Sequence, residues 1–242
     1  MKKSTLVVTH ERSGTHLLIN IINYQNNGNF IPIGKLPENK TCDIKTYKEY
    51  VYKYIVMNAN SNKDSVSKSH HQVEFYEDFL DYVFENYNVI YLKRNIKDVL
   101  VSYYKFLNAD INKVPIVNFP NLNDWVFSNP QEIGYKFFAS FPDPHIIIEP
   151  DNYIDRILLN ANGWMKYKDK ILVLNYEDIL NDYPSTKKIL EDYLSHKISE
   201  KIPDIHDKKL PNFCPNKGIV GSYKECMSDD LIGKIDIYIN SK

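Results

Sequence analysis

The chain has 242 residues, enough to bury a large core, and its 43% apolar and 25% charged residues are those of an ordinary soluble globular protein. A net charge of −1 supplies no global basic field for nucleic acid or an anionic membrane, so affinity for an anion has to come from a local site. Apolar runs such as Leu17 to Ile22 are far too short to cross a bilayer, the start MKKSTLVVTHE is too weakly apolar for a signal peptide, and Cys42, Cys214 and Cys226 lack CxxC spacing, all of which suits a cytoplasmic protein with free thiols.

In chain order, TLVVTH (5–10) reads as a buried strand, and THLLINIINYQ (15–25) follows with apolar residues at helical spacing. DIKTYKEYVYKYIVMN (43–58) is a helix with an aromatic face. SVSKSHH (65–71) is a short strand entering a polar loop, VEFYEDFLDYVFENY (73–87) an amphipathic helix, and NVIYLKR (88–94) a second firm strand. IKDVLVSYYKFLNA (96–109) is the next helix, and residues 110–150 are looser, with several prolines. YIDRILLNANGWMKY (153–167) is helical, KILVLNYED (170–178) a third strong strand, and PSTKKILEDYLSH (184–196) opens as helices do, on proline and Ser/Thr. A last helix begins near Ser228. Without repeats or linkers, one domain over residues 1–242 is expected. Its strands alternating with helices predict an α/β fold of three layers, with a mostly parallel central sheet flanked by helices.

Chemistry gathers where two of these strands give way to helices. The chain has only three arginines, Arg12, Arg94 and Arg156, and two of them stand at such breaks. In ERSGTH the first amides of the helix face the loop at the positive end of its dipole. Gly14 lets backbone approach an oxyanion, Ser13 and Thr15 add hydroxyls, and Arg12 adds a bidentate cation. The loop lacks the upstream glycine and the lysine of a Walker A motif. On this segment alone, an anion site and a plain helix cap stand as equals. At the second break, Arg94 ends a strand and Ser102 lies about two turns into the following helix, so the two could grip one phosphate. Lys97 and Asp98 read as a solvated first turn, and Arg156 as the partner of a neighbouring acid.

These segments resemble the sulfotransferases that use 3′-phosphoadenosine 5′-phosphosulfate (PAPS). THERSGTHLL is similar to their 5′-phosphosulfate loop, [KR]-S-G-T-[TS], and RNIKDVLVSYYKF to their 3′-phosphate segment, R-N-P-K-D-x-x-V-S-x-Y. SKSHH (67–71) sits where the family has K-T-H. LVLNYEDI (172–179) is similar to its Y-E-D-[LM] strand, and NKGIVGSYKECMS (216–228) to its C-terminal R-K-G-x-x-G-[DN]-W-K-x-x-F-[ST].

The resemblance implies a P-loop NTPase-like fold. It also implies PAPS as donor, 3′-phosphoadenosine 5′-phosphate (PAP) as product, no metal, and transfer to a hydroxyl, or alternatively an amine, of a small-molecule or carbohydrate acceptor. Arg12, Ser13, Gly14, Thr15 and His16 would surround the 5′-phosphosulfate. Arg94 and Ser102 would take the 3′-phosphate with Lys217 and Gly218, and Tyr176 would lie near the adenine. His70 would be the general base, with His71 the alternative, and Lys68 would stabilise charge on the transferring group beside Arg12. Without the resemblance, two exposed histidines in a polar loop would be the simpler reading.

The sequence departs from the pattern at Arg12 for the commoner lysine, Ile96 for proline, Asn216 for arginine and Tyr223 for tryptophan. An arginine holds anions but cannot hand over a proton as a lysine can. The family's dimer segment is not found, which leaves the oligomeric state open. Two other readings stand beside the transferase: a kinase-like nucleotide enzyme, which the missing Walker features disfavour, and an inactive nucleotide-binding protein on the same fold. The acidic face Glu77, Asp78, Asp81 and Glu85 reads as solvated. The aromatic group Trp125, Phe127, Tyr135, Phe137, Phe138 and Phe141 reads as core or lid. His145, His196 and His206 lack metal-ligand spacing.

Overall fold

A computed structural model describes residues 3–23, 30–32, 43–60, 65–108, 121–130, 147–203 and 218–242. Strand β1 (Ser4–Thr9) is buried at every position, as an uninterrupted β-branched and apolar run predicts for a parallel sheet covered on both faces. It pairs in parallel with β3 (Val66–Ser69) on one side and β4 (Tyr87–Lys93) on the other. β2 (Phe30–Pro32) extends the sheet beyond β3, and β5 (Leu172–Asn175) extends it beyond β4, giving five parallel strands in the order β2-β3-β1-β4-β5.

Alternation along the strands sorts two cores. Leu6, Val8, Val89 and Tyr91 face α2 (Ile44–Asn60), residues 73–83 and Trp164 of α6 (Tyr153–Met165). Val7, Ile90, Leu92 and Leu174 face α1 (Thr15–Asn23) and α8 (Tyr183–Leu194). The outcome is helix–sheet–helix. A third cluster joins α4 (Ile96–Leu107), α5 (Leu122–Val126), α6 and α9 (Asp229–Asn240), with Trp125 stacked on Tyr153 at 4.0 Å. Trp125 is therefore core, Phe127 is exposed, and the four remaining aromatics of that group lie outside the described residues. Among the described residues no helix is long and apolar enough to cross a membrane.

Side-chain caps fix several helix starts. Asn95 accepts from the Lys97 amide, Asn152 from Ile154 and Asp155, Asp182 from Ser185, and Ser228 from Leu231. Glu77, Asp78, Asp81 and Glu85 are exposed, as expected.

Three local expectations are corrected, and one strand was missed. Residues 73–87 are not one helix. A 3₁₀ segment (Val73–Phe79) comes first and α3 (Leu80–Asn86) follows. Val73, Tyr76 and Phe79 are all buried, and a spacing of three aligns them in one row on a 3₁₀ turn. The strand predicted at 170–178 stops at Asn175, and Tyr176 opens α7 (Tyr176–Asn181), whose first turn carries Glu177 and Asp178 at the favourable end of the dipole. β2 was not legible, being three residues with a proline that only an edge strand tolerates. Lys97 and Asp98 are not a solvated turn. Lys97 pairs with Asp236, and Asp98 is 1% exposed.

Candidate functional site

The strand order places a topological switch between β1 and β4. The chain leaves β1 toward β2 and leaves β4 toward β5, so the loops beyond their carboxyl ends part and leave a crevice. Register brings the ends level. Val8 faces Ser69 and Tyr91, Thr9 faces Leu92, and Leu92 faces Leu174. The next residues of four strands therefore meet along one edge: His70 after β3, residues 10–14 after β1, Arg94 after β4 and Tyr176 after β5.

The β1–α1 loop is built for close approach. Gly14 has φ +97°, and a Cβ there would lie 2.3 Å from Cδ2 and 2.5 Å from Cε2 of Tyr176. Arg12 has φ +66°, a left-handed conformation that costs a non-glycine residue about 1 kcal/mol or more. Arg94 holds it there, donating from Nη1 to the Arg12 carbonyl at 3.1 Å. The Arg12 Nε donates to Ser102 Oγ at 3.2 Å, and its guanidinium lies 4.7 Å from the Phe106 ring centre. Arg94 in turn lies 4.3 Å from the Tyr176 ring centre, and the Tyr176 hydroxyl donates to the Gly218 carbonyl at 2.9 Å. Arg12, Gly14, Ser102, Arg94, Tyr176 and Gly218 thus form one connected cluster. Lys217 lies outside the described residues, as does Asn216.

The cluster suits a ligand with two separated anions. The α1 N-terminus and Arg12 offer one anion seat. Arg94 offers another, since its buried Nε has no hydrogen-bond partner among the described residues. A Gly14→Ala variant tests the cradle: the added methyl drives into Tyr176 from a backbone angle alanine avoids. Thermal unfolding of that variant should show lowered stability and no shift on adding nucleotide.

Beneath the loop lies a buried ion pair that the sequence did not place. Arg156 on α6 donates to Glu11 through Nη1 (2.8 Å) and Nη2 (2.7 Å), and from Nη1 to His10 Nε2 at 3.0 Å. Burial would raise the Glu11 carboxyl, but Arg156, His10 and His70 outweigh it and hold the carboxyl well below its ordinary range.

The two adjacent histidines differ sharply. His71 is fully buried, its ring between Ser69 Oγ at 2.7 Å and the Tyr47 hydroxyl at 3.2 Å. His70 is half-buried, with Nδ1 3.0 Å from the Thr9 carbonyl. A carbonyl only accepts, so Nδ1 carries the proton and Nε2 the lone pair. Asn160 donates to both their carbonyls at 3.1 Å, and Trp164 Nε1 donates to the His71 carbonyl at 3.0 Å. Gln72 continues the staple, accepting from the amides of Ile147 and Ile148 and donating to the Ile148 carbonyl. None of these supports was foreseen, and the only sequence signal was their polarity within an apolar helix or loop.

Lys68 on β3 places Nζ 3.1 Å from His16 Nε2. Burial is the main cause that lowers Lys68, to about 8, with Glu11 opposing it. Burial, then Lys68 and Arg12, push His16 down to about 4. Asp98 ties the late loop to α4. Its carboxylate accepts from the Gly221 amide (2.8 Å), the Ser222 hydroxyl (3.1 Å) and the Tyr223 amide (3.1 Å).

Comparison with known proteins fits this geometry. Residues 2–242 match the family model of the sulfotransferase domain. A flavonol 4′-sulfotransferase from Flaveria chlorifolia is 25% identical over 185 residues, covering 65% of this chain and 53% of that protein. A flavonol sulfotransferase-like protein from Flaveria bidentis is 30% identical over 114 residues, covering 47% and 32%. The chain thus matches about half the length, or less, of these relatives. Among solved structures, mouse sulfotransferase SULT7A1 complexed with PAP superposes with a TM-score of 0.66 at 14% identity, covering 100% of this chain and 85% of that one. A sulfotransferase from Alicyclobacillus acidocaldarius gives 0.56 at 14% identity, covering 100% and 92%. These likenesses establish a common fold.

Proposed function

The chain belongs to the sulfotransferase domain family, and from that premise we propose that it transfers a sulfuryl group from PAPS to a hydroxyl of a small molecule, releasing PAP. The observation that carries the proposal is the cluster at the switch point, where Arg94 bonds the Arg12 carbonyl and so joins two arginines from separate strand ends, Arg12 held to Ser102 and Arg94 over the Tyr176 ring. Arg12, Ser13, Gly14, Thr15 and His16 would hold the 5′-phosphosulfate. Arg94 and Ser102, with Lys217 and Gly218, would hold the 3′-phosphate, and Tyr176 would stand against the adenosine.

In this reading catalysis is positioning and electrostatics. The cations and helix amides neutralise charge that builds on the bridging oxygen. His70 Nε2, fixed as the basic nitrogen by the Nδ1–H bond to Thr9, takes the acceptor proton. His71 is held in the core and serves as structure. One named relative is a flavonol 4′-sulfotransferase, and a retinol dehydratase of the same fold was crystallised with retinol and PAP. A small apolar molecule bearing a hydroxyl is therefore the acceptor class proposed. Radiolabelled PAPS incubated with a flavonol, a simple phenol and retinol tests the reading. Label should move to at least one acceptor with matching PAP release. Failure of all three, with no PAP formed, would contradict it.

A further inference from the structure

Leaving-group protonation is a task that the loop cation cannot perform in this chain. Arg12 is a guanidinium that stays charged, and it is already committed through Nε to Ser102 and over the face of Phe106. The group placed to take over is Lys68. Its strand neighbour is Val7, so its ammonium rises beside the loop that would hold the phosphosulfate, and Nζ meets His16 in the first turn of α1 at 3.1 Å. An ammonium only donates, so His16 Nε2 accepts and the imidazole is neutral. A neutral acceptor aims the ammonium without adding a negative charge that would hold its proton back.

We propose that Lys68 is the proton donor to the leaving oxygen and that His16 is the residue that positions it. The inference rests on the sulfotransferase reading above. As the acceptor oxygen bonds to sulfur, the bond between sulfur and the bridging oxygen breaks. The acceptor proton passes to His70 Nε2, and one ammonium proton of Lys68 passes to the bridging oxygen, which departs on the 5′-phosphate of PAP. Lys68 is left as an amine and His70 as an imidazolium, and exchange with solvent restores both.

Among the described residues, the charged or titratable groups facing Lys68 and His16 include Glu11 and Arg12 from the β1 loop, together with each other. Burial places Lys68 at about 8, so the donor form is lost as pH rises through that value and the rate should fall with it.

The test is PAP release from PAPS at subsaturating concentration, where the pH profile reports the unliganded protein, measured in single turnover between pH 6.5 and 9.5. The acceptor is benzyl alcohol, which does not titrate in this range, and water alone serves as the second acceptor. PAP affinity and thermal midpoint are measured in parallel. Lys68→Arg keeps a cation that cannot donate. It should retain PAP affinity within about threefold, lose about a hundredfold in rate at pH 7, and lose the alkaline limb. His16→Gln keeps an acceptor for the ammonium and should stay within about tenfold of the unaltered rate, whereas His16→Leu should fall further and move the limb. A Lys68→Arg rate near that of the unaltered protein, or a fall matched by lost PAP affinity, would overturn the proposal. So would a flat profile from pH 7 to 9.5 in the unaltered protein, which needs no variant to fold. Failure of the unaltered protein to bind PAP would instead overturn the underlying reading of the site.

Discussion

Arg156→Met should lower the unfolding free energy by about 3–5 kcal/mol, because it strands the Glu11 carboxylate in a buried position after both of its guanidinium hydrogen bonds are gone. In a chain of this size that is a fall of roughly 6–20 °C in thermal midpoint. Urea unfolding measures it directly. Glu11→Leu combined with Arg156→Met should recover much of the loss, since an apolar pair of similar volume removes both charges at once. A single-variant loss below about 1 kcal/mol would show that water reaches the pair. The sign with pH is fixed by Glu11. Its folded carboxyl titrates well below the ordinary value of 4.5, so its contribution is present above that value and disappears only as pH falls through the lowered one. The pair also carries the loop that bears Arg12, so the Arg156→Met variant should lose nucleotide affinity at temperatures where it is still folded.

His70→Ala should cost about a hundredfold to ten-thousandfold in sulfuryl transfer while PAP affinity stays within about threefold. The two readouts separate because His70 stands after β3, away from the Arg94–Tyr176 cluster, and is anchored through Thr9. His71→Ala should fail differently. It opens a cavity among Tyr47, Phe75 and Tyr76, and so lowers stability. A His70→Ala enzyme that turns over at the unaltered rate would remove the base from the account. Comparing the two histidines in one experiment decides between chemistry and packing at adjacent positions.

Arg12, Gly14 and Arg94 were legible in the sequence because a strand–loop–helix junction is a local object, in which residues within about ten positions of one another determine what sits at the strand end. The buried strands β1 and β4 were legible for the same reason, as short runs rich in β-branched and apolar residues. What holds the site together was not. Glu11 and Arg156 are 145 residues apart in sequence, and nothing in either segment announces the other. Asp98 looked like a first-turn acid of an exposed helix, and only the return of residues 221–223 buries it and gives it three donors. The contrast between His70 and His71 was equally hidden, since it depends on Tyr47 from α2 and on Trp164 from α6. The break at Tyr176 followed the same logic. The apolar run suggested a longer strand, but the chain turned where β5 stopped pairing with β4, and that turn is what puts the Tyr176 ring beneath Arg94.

The measurement that bears most directly on the account is thermal unfolding with PAP, set against equal concentrations of ADP and AMP. PAP at about a hundred times its dissociation constant should add ~2.7 kcal/mol, which is roughly 5–10 °C here. ADP and AMP, lacking the 3′-phosphate that Arg94 would hold, should give much less, and Arg94→Ala should erase the difference. Equal shifts from all three nucleotides, or a PAP preference that survives in Arg94→Ala, would contradict the assignment of the cluster at the β1–β4 switch point as the PAP site.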